Sequence, residues 1–421
     1  MTQRIAIVGT GISGLVCAHL LSKEHDVQVF EANDYIGGHT HTVDVTVNGE
    51  AHAIDTGFIV FNDWTYPNFI QLMDKLGVKR QPTEMSFSVK NSAQNLEYNG
   101  HTLNTLFAQR RNLLRPGFYR FIGEILRFNR LCKEELERQS FTEHDTLGQL
   151  LERQEFSDYF AGNYILPMCA AIWSASLEDV KAFPLPFFLR FFNNHGLLNV
   201  QNRPQWYTLV GGSRSYIEPL CKHFKDRIHL SCPVRGCRQT DQGWELSFSD
   251  RPTEQFDHVI LACHSDQALS LLERPTEEQQ RILGALPYSD NEVVLHTDTR
   301  LLPKRPLAWA SWNYLIKGES GERERPASVT YNMNILQRLN TKTTFCVTLN
   351  NSDDIDPDKV LRRFHYSHPQ FSDAGIQAQQ QRQQICGIDG LHFCGAYWYN
   401  GFHEDGVRSG LDVCARFGAS L

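Results

Sequence analysis

No run of about 18 apolar residues, the length a helix needs to cross a bilayer, occurs in this sequence. A membrane-spanning helix is therefore not expected. A leader segment is not expected either. The strand-like run Arg4-Ile5-Ala6-Ile7-Val8 begins almost at Met1 and leads into a motif that must stay attached, which points to a cytoplasmic protein, at most peripheral to a membrane. Positive charge is not in excess: a formal net charge of -7 excludes a general nucleic-acid binder, which needs a positive field to displace counterions. Of the 11 cysteines no two are spaced as CxxC, and their number is odd. This speaks against a disulfide framework or a metal site. Free thiols in a reducing compartment are expected, several of them (Cys17, Cys169, Cys263, Cys346) in apolar settings.

What is present suffices for two or three domains: 421 residues, 41% hydrophobic and 21% charged, an ordinary globular composition. Residues 4–31 read strand, glycine turn, helix, strand. Stretches 42–47 and 51–54 alternate as a hairpin about Asn48-Gly49, and 66–77 read as a helix. From 104 to 200 glycine thins out and amphipathic helical patterns take over. Val259-Ile260-Leu261-Ala262 reads as a buried parallel strand. Strands of a second sheet are expected at 292–297, 328–332 and 344–349, a Gln-rich exposed helix at 377–384, and a final strand and helix at 391–395 and 407–417. The expected architecture is α/β. A discontinuous Rossmann-type domain (1–75, 206–270, 386–421) is interleaved with a mixed-sheet substrate domain (76–205, 271–385), whose first part carries an inserted helical region.

After the first strand comes Gly9-Thr10-Gly11-Ile12-Ser13-Gly14, a GxGxxG between a strand and a helix. Gly9 permits the tight turn, Gly11 lets backbone approach a diphosphate, and Gly14 lets the helix pack closely on the sheet. The helix N-terminus offers free N–H groups and partial positive charge to the phosphates. Glu31, at the end of the second strand, is placed to accept from ribose hydroxyls. This module alone does not separate NAD from FAD.

The next residues do. Gly37-Gly38-His39-Thr40, then Asp55-Thr56-Gly57, then Gly211-Gly212, then Gly395-Ala396 and Gly401-Phe402-His403-Glu404-Asp405-Gly406-Val407 resemble the flavin-dependent amine oxidase and phytoene desaturase superfamily. Those proteins carry a Glu, a Gly-Gly pair usually followed by Arg, an Asp-x-Gly turn, a central Gly-Gly and a Gly-aromatic-x-Glu segment opening the last helix. The resemblance implies FAD, held by Gly9, Gly11, Ile12, Ser13, Gly14, Glu31, Gly37, Gly38, His39, Thr40, Asp55, Thr56, Gly57, Gly395, Phe402, His403, Glu404 and Val407. It also implies that Val234 binds the adenine through its backbone, and that the last helix N-terminus favours negative charge on the reduced flavin. Two positions depart from the pattern: His39 stands for the usual Arg, and Asp405-Gly406 for Gly-Ala. A covalent flavin cysteine has no counterpart, so non-covalent FAD is expected. In detail, GGHT at 37–40, AIDTGFIVFN at 53–62, WASWNY at 309–314, TYNMN at 330–334 and GAYWYNGFHEDG at 395–406 are similar to a bacterial branch of FAD-binding oxidoreductases encoded beside cyclopropane-fatty-acid synthases. That resemblance implies a fatty acyl or phospholipid substrate.

Two stretches bear on an apolar substrate. Residues 183–192 are dense in phenylalanine and either line a lipid tunnel or pack the two domains together. Arg110, Arg111, Arg115, Arg120, Arg127, Arg130 and Lys133, interleaved with Leu and Phe and with Glu124 as the only acid, form either a helix resting on anionic lipid or a solvated basic face. Trp309, Trp312 and Tyr314, on one strand-like segment, and Tyr399 are expected at the substrate cavity. His403 and Glu404 are the candidate bases for a second proton in a desaturation, the hydride going to the flavin. No second GxGxxG exists for a nicotinamide donor. Three functions remain open: oxidation of an acyl chain, oxidation of an amine, and a non-catalytic flavoprotein partner of a lipid methyltransferase.

Overall fold

Arg4–Val8 becomes a central strand because Ile5, Ala6, Ile7 and Val8 tolerate burial on both faces, the composition of a parallel strand covered by helices. In the computed structural model, which describes residues 2–318, 321 and 324–421, it pairs in parallel with Asp26–Phe30 and with His258–Leu261. Ile228–His229 and Leu391–Phe393 complete a five-stranded parallel sheet. Its strands thus come from three distant parts of the chain. Every connection crosses over, which a parallel sheet requires.

The helix Ile12–Leu21 is buried almost all round. It lies on the parallel sheet, and the C-terminal helix His403–Ala415 covers its other side. Two glycines let those helices approach. A Cβ on Gly406 would stand 2.6 Å from the Ile12 side chain, and one on Gly410 2.8 Å from the Ser13 carbonyl oxygen. The final helix starts at His403, four residues before the expected Val407, because Asp405 accepts from the Phe402 N–H and caps it.

A second, seven-stranded sheet runs Val360–Pro369, Tyr288–His296, Cys346–Leu349, Val329–Asn332, Trp312–Ile316, Phe87–Asn91, Leu96–Asn99. All pairs are antiparallel except Trp312–Ile316 with Phe87–Asn91. The hairpin 87–99 lies within the stretch 76–205 and escaped the sequence reading; Lys90, Glu97 and the Asn residues at 91, 95 and 99 dilute its alternation. Thr42–Val47 and Glu50–Asp55 form the expected hairpin, with Asn48 and Gly49 both at positive φ, as a two-residue type I′ turn demands. The Gln-rich stretch divides into a helix Asp373–Gln380 and a single turn Arg382–Gln384.

The helical layer builds its own core. The long helix Pro116–Arg138 inserts Phe118, Phe121 and Phe128 against Phe160, Phe188 and Phe192. Phe188 and Phe192 belong to the helix Leu185–Asn194, which is buried along most of its length. Among the described residues no helix is long and apolar enough to cross a membrane. All eleven cysteines are free, and nine are buried.

Candidate functional site

The glycine turn sits at the carboxyl end of Arg4–Val8, where parallel sheets bind dinucleotides. Two of its glycines are dictated by packing. A Cβ on Gly9 would meet the Ala262 carbonyl oxygen at 2.8 Å, and one on Gly14 the Gly9 carbonyl oxygen at 2.2 Å. Gly11 differs: a Cβ there would meet nothing within 4 Å. The turn leaves open space in front of Gly11, which caps the helix without any side-chain bond to its N–H groups. Those groups, on Ile12, Ser13 and Gly14, face a cradle that a diphosphate fits.

Glu31 is buried beside this turn. Its carboxylate accepts from the Thr10 N–H (2.9 Å) and hydroxyl (2.5 Å), and from the Asn33 N–H (2.9 Å) and side-chain amide (3.0 Å). Two of these donors are side chains that ribose hydroxyls can replace one for one. Cys232 N–H donates to the Glu31 carbonyl, which brings the loop leading to Val234 alongside. Val234 itself is buried at the start of the strand Val234–Thr240.

The remaining motifs interlock through their backbones. Gly38 lies on the glycine turn, its Cβ position 3.3 Å from the Gly11 Cα. Gly57 lies on His39: a Cβ there would stand 2.2 Å from the His39 carbonyl oxygen. Gly212, at φ +91°, packs on Thr42 and Asp55. Asp55 Oδ1 accepts from the Thr42 hydroxyl (2.6 Å), the Ser213 N–H (2.9 Å) and the Ser213 hydroxyl (2.9 Å). Burial raises its pKa to about 6 against those donors. The three Gly-containing loops therefore form one rigid floor. The Thr56 hydroxyl joins it to the second sheet through Tyr366, 2.8 Å away.

Above this floor stands His403. Its ring stacks on Phe58 at 3.7 Å, and its Nε2 is 2.8 Å from the Tyr216 hydroxyl, which in turn is hydrogen-bonded to the Thr40 hydroxyl. Burial, with His39 nearby, lowers the imidazole pKa to about 3, so the ring is neutral at pH 7. Glu404 is tied to a neighbouring helix. Its two oxygens accept from the Asn68 amide (2.6 Å), the Asn68 N–H (3.2 Å) and the Phe69 N–H (2.8 Å), capping the helix Pro67–Leu76. The residue expected as a base thus also caps a helix. Glu404→Gln replaces one of the two accepting oxygens with a donor and should lose part of the cap while still turning over, and Glu404→Ala should cost about 1–2 kcal/mol of stability. A Gln variant that folds, holds flavin and is inactive would restore the catalytic role.

The expected cavity residues separate. Trp312 pairs edge-on with Tyr331 at 5.0 Å, and both are half-buried between two cores. Tyr314 is buried in the helical-layer core. Trp309 is not on the strand, which begins at Trp312; its indole N–H donates to the Pro303 carbonyl and pins a loop. Tyr399 donates to Asp412 (2.5 Å) and lies under the Arg408 guanidinium, tied to the C-terminal helix. Phe402 stacks on Phe191 at 5.3 Å and joins the floor to the aromatic helix. Val407 is fully buried, and the Gly395 N–H donates to the Ser409 hydroxyl. Sequence reasoning missed Tyr216, His264 and His368, which no short motif flags. Among the described residues no group of His, Cys, Asp or Glu is arranged to hold a metal ion.

Comparison with known proteins agrees with this geometry. The sequence pattern of the flavin containing amine oxidoreductases matches residues 12–333 of 421. Curated protein sequences give no match. Cyclohexylamine oxidase from Brevibacterium oxydans is similar in structure (TM-score 0.68, 15% identity, 99% of this chain and 98% of that one). So are a fatty acid isomerase from P. acnes, described as producing CLA (0.68, 13%, 99% and 98%), and reduced UDP-galactopyranose mutase (0.66, 16%, 99% and 94%). At these identities the likeness is one of fold. With the open cradle at Gly11, the carboxylate of Glu31 and the interlocked glycine loops suited to FAD, the chain belongs to the flavin-containing amine oxidoreductase family and is an FAD-dependent oxidoreductase.

Proposed function

We propose that the protein oxidises a hydrophobic acyl substrate, free or within a phospholipid, and holds its FAD without a covalent bond. One observation carries this reading: the wall of packed rings beside His403, continuing into the helical-layer core, is uncharged. Phe402 stacks on Phe191, Trp173 lies 4.7 Å from Phe191, and Phe187 stacks on Phe371 at 5.1 Å. His195, beside Phe191 and Phe402, is held neutral by burial, its pKa lowered to about 4. Such a wall suits an alkyl chain; an alkylammonium would require a carboxylate or a cage open on its cationic side.

The bound flavin supplies the hydride acceptor. The chain's own residues do the rest. The aromatic wall excludes water and aligns the reacting C–H bond. The Thr40–Tyr216–His403 chain orients the imidazole, which binds a proton weakly and acts as a hydrogen-bonding group. Cys394 is fully buried in the core, in keeping with non-covalent flavin.

The basic face supports delivery from an anionic lipid surface. Leu114 is 88% and Leu103 77% exposed, and Leu113, Tyr119 and Leu126 are also exposed. They stand among exposed Arg110, Arg115, Arg120 and Arg130. Arg110 and Arg111 donate to backbone and amide oxygens rather than to acids. Apolar side chains in solvent beside cations are what an anionic bilayer binds.

The test is anaerobic absorbance of the yellow holoprotein mixed separately with fatty acids, phospholipid vesicles and a panel of amines. Bleaching of the flavin by lipid is the expected result. Bleaching by an amine alone would overturn the acyl reading, and silence toward all three would favour the non-catalytic partner of a lipid methyltransferase.

A further inference from the structure

The outward face of the long helix Pro116–Arg138 changes character along its length. Leu126, Arg130, Lys133 and Glu137 recur at i, i+4, i+7 and i+11, one stripe of a helix surface. Towards the N-terminus the stripe continues onto exposed Tyr119 and Arg120. The Tyr119 hydroxyl donates to the Leu113 carbonyl at 2.9 Å, which joins the turn Arg110–Leu114 to the helix. From Arg110 to Lys133 the one carboxylate is turned inward: Glu124 is buried and accepts from the Ser157 N–H (2.9 Å) and hydroxyl (2.6 Å). An anion approaching this face meets cations and no acid until Glu134.

Beside the stripe lies a cleft of about 660 Å³, within the usual span of small-molecule sites, about 300–1,000 Å³. The helix forms one wall with Leu126, Arg130 and Lys133, and residues 198–201 form the other with Leu198 and Val200. Leu126 is 51% and Val200 63% exposed, while Leu198 is buried and belongs to the helical-layer core. The second wall is braced from within. The Asn199 amide donates to the Asn202 carbonyl (3.0 Å), and the Arg203 guanidinium donates to the Asn199 carbonyl (2.6 Å), which brings a third cation to this wall.

The acids of the cleft are Glu134 and Glu137. Glu134 stands between Arg130 (3.9 Å) and Arg138 (3.8 Å), which balance its charge. Glu137 lies one turn beyond Lys133, away from Leu126. The Leu126 end of the cleft is therefore apolar and cationic. Three apolar side chains beside cations match an amphiphile with an anionic head. They are too few for the row of anchors by which a partner helix docks, and a bare phosphate has no use for them.

We propose that this cleft holds one anionic phospholipid drawn from the bilayer, its phosphate on Arg130 and Lys133 and one acyl chain along Leu126, Leu198 and Val200. The inference takes its ligand class from the acyl reading above and adds a site that selects the lipid by its head group. Residues 198–201 follow the helix Leu185–Asn194, on which the helix Pro116–Arg138 packs through Phe128 and Phe188 (6.0 Å). Leu198 lies in the same core as Phe191. Both walls of the cleft thus belong to the layer that carries the aromatic wall.

The test is calorimetric titration of the FAD-loaded protein with dihexanoylphosphatidylglycerol, kept below its micelle concentration so that no lipid surface is present. One molecule is expected to bind per chain, about tenfold more tightly than dihexanoylphosphatidylcholine, whose phosphate carries its own cation. Arg130→Gln/Lys133→Gln should weaken binding about 10- to 100-fold and remove that preference, and Leu126→Ser/Val200→Ser should weaken it about tenfold. Melting curves identify a variant that fails to fold, and the other pair then decides. Leu113→Ser/Leu114→Ser, outside the cleft, should bind the soluble lipid like the wild type yet float less with vesicles of equal parts phosphatidylcholine and phosphatidylglycerol. A wild type that binds those vesicles but not the soluble lipid, or cleft variants that bind it unchanged, would overturn the site. Glycerol 3-phosphate binding as tightly as the lipid would overturn the acyl contact and leave a phosphate site. Self-association that the same variants lose, with no lipid bound, would give the cleft to a second copy of the chain and overturn the proposal. Lipid held in the cleft without bleaching of the flavin by any lipid would uphold the site and sink acyl oxidation; bleaching by lipid with nothing bound in the cleft would do the reverse.

Discussion

Gly57→Val should yield a protein purified with less than about a tenth of the wild-type flavin, and melting well below it. The cause is steric. A Cβ on Gly57 would stand 2.2 Å from the His39 carbonyl oxygen and 3.0 Å from its carbon, and neither is the movable end of a side chain. To make room, residue 39 must shift, and with it Gly38, which lies on Gly11. The added side chain thus displaces the loop that packs on the dinucleotide turn. Overpacking of this kind costs about 1–3 kcal/mol or more, and the cofactor's own stabilisation is lost on top of it. Gly57→Ala should show the same effect in reduced form. Gly123 provides the contrast: it lies inside the helix Pro116–Arg138, and a Cβ there meets nothing within 4 Å. Gly123→Ala should keep its flavin and gain up to about 1 kcal/mol. Flavin-to-protein ratios and thermal melts of the three variants check the expectation; a yellow, stable Gly57→Val protein would show that the floor is not rigid.

Acid should destabilise this protein steeply, beginning near pH 6.5. Burial holds His195, His264 and His296 down at about 4, and His368, His392 and His403 at about 3. An unfolded histidine titrates near 6.5. Between those values the unfolded chain binds protons that the native protein refuses, so stability rises with pH there and is lost as pH falls. For His296 and His392, which are almost wholly buried, the slope is about 1.4 kcal/mol per pH unit each. Asp55 and Asp405 act in the opposite sense. Burial raises them to about 6 and about 7, so the native protein binds their protons more tightly, and that contribution fades as pH rises through the same range. Six groups oppose two, and the net slope below pH 6.5 is positive. Above it the histidine contribution is complete while Asp405 still ionises at a cost. Maximum stability is expected at pH 6–7. Denaturant titrations from pH 5 to 8 measure the slope. His392→Leu should reduce it, at the expense of a 3.3 Å contact with His258. A flat profile from 5 to 7 would mean that these imidazoles are hydrated in solution.

Local order carried much of this molecule into plain view. A strand, GxGxxG and a helix in succession admit few structures, because Gly14 is required by its contact with Gly9 in the same turn, although Gly9 itself is pressed by Ala262 from far along the chain. The Asn48-Gly49 turn is equally local, since only such residues accept positive φ at both positions. Family-like spacing extended the reading to Asp55, Gly57, Gly211, Gly212 and Phe402, yet gave no reason for them. The reasons are contacts across the chain: Gly57 on His39, Gly212 on Asp55, Gly406 on Ile12. Side-chain partners were hidden where they lay far away in sequence. Glu404 reads as a base until Asn68 and Phe69 claim both its oxygens, and Trp309 reads as a strand residue until Pro303 claims its indole. Three histidines are the extreme case. Residues 39, 264 and 368 carry no shared pattern, and only the packing of two sheets on one glycine turn brings His264 and His368 each to about 6 Å from His39. The chain's first thirty residues determine that a dinucleotide binds; where the imidazoles and the aromatic wall stand around it is decided by tertiary structure, because burial and convergence are properties of the whole fold.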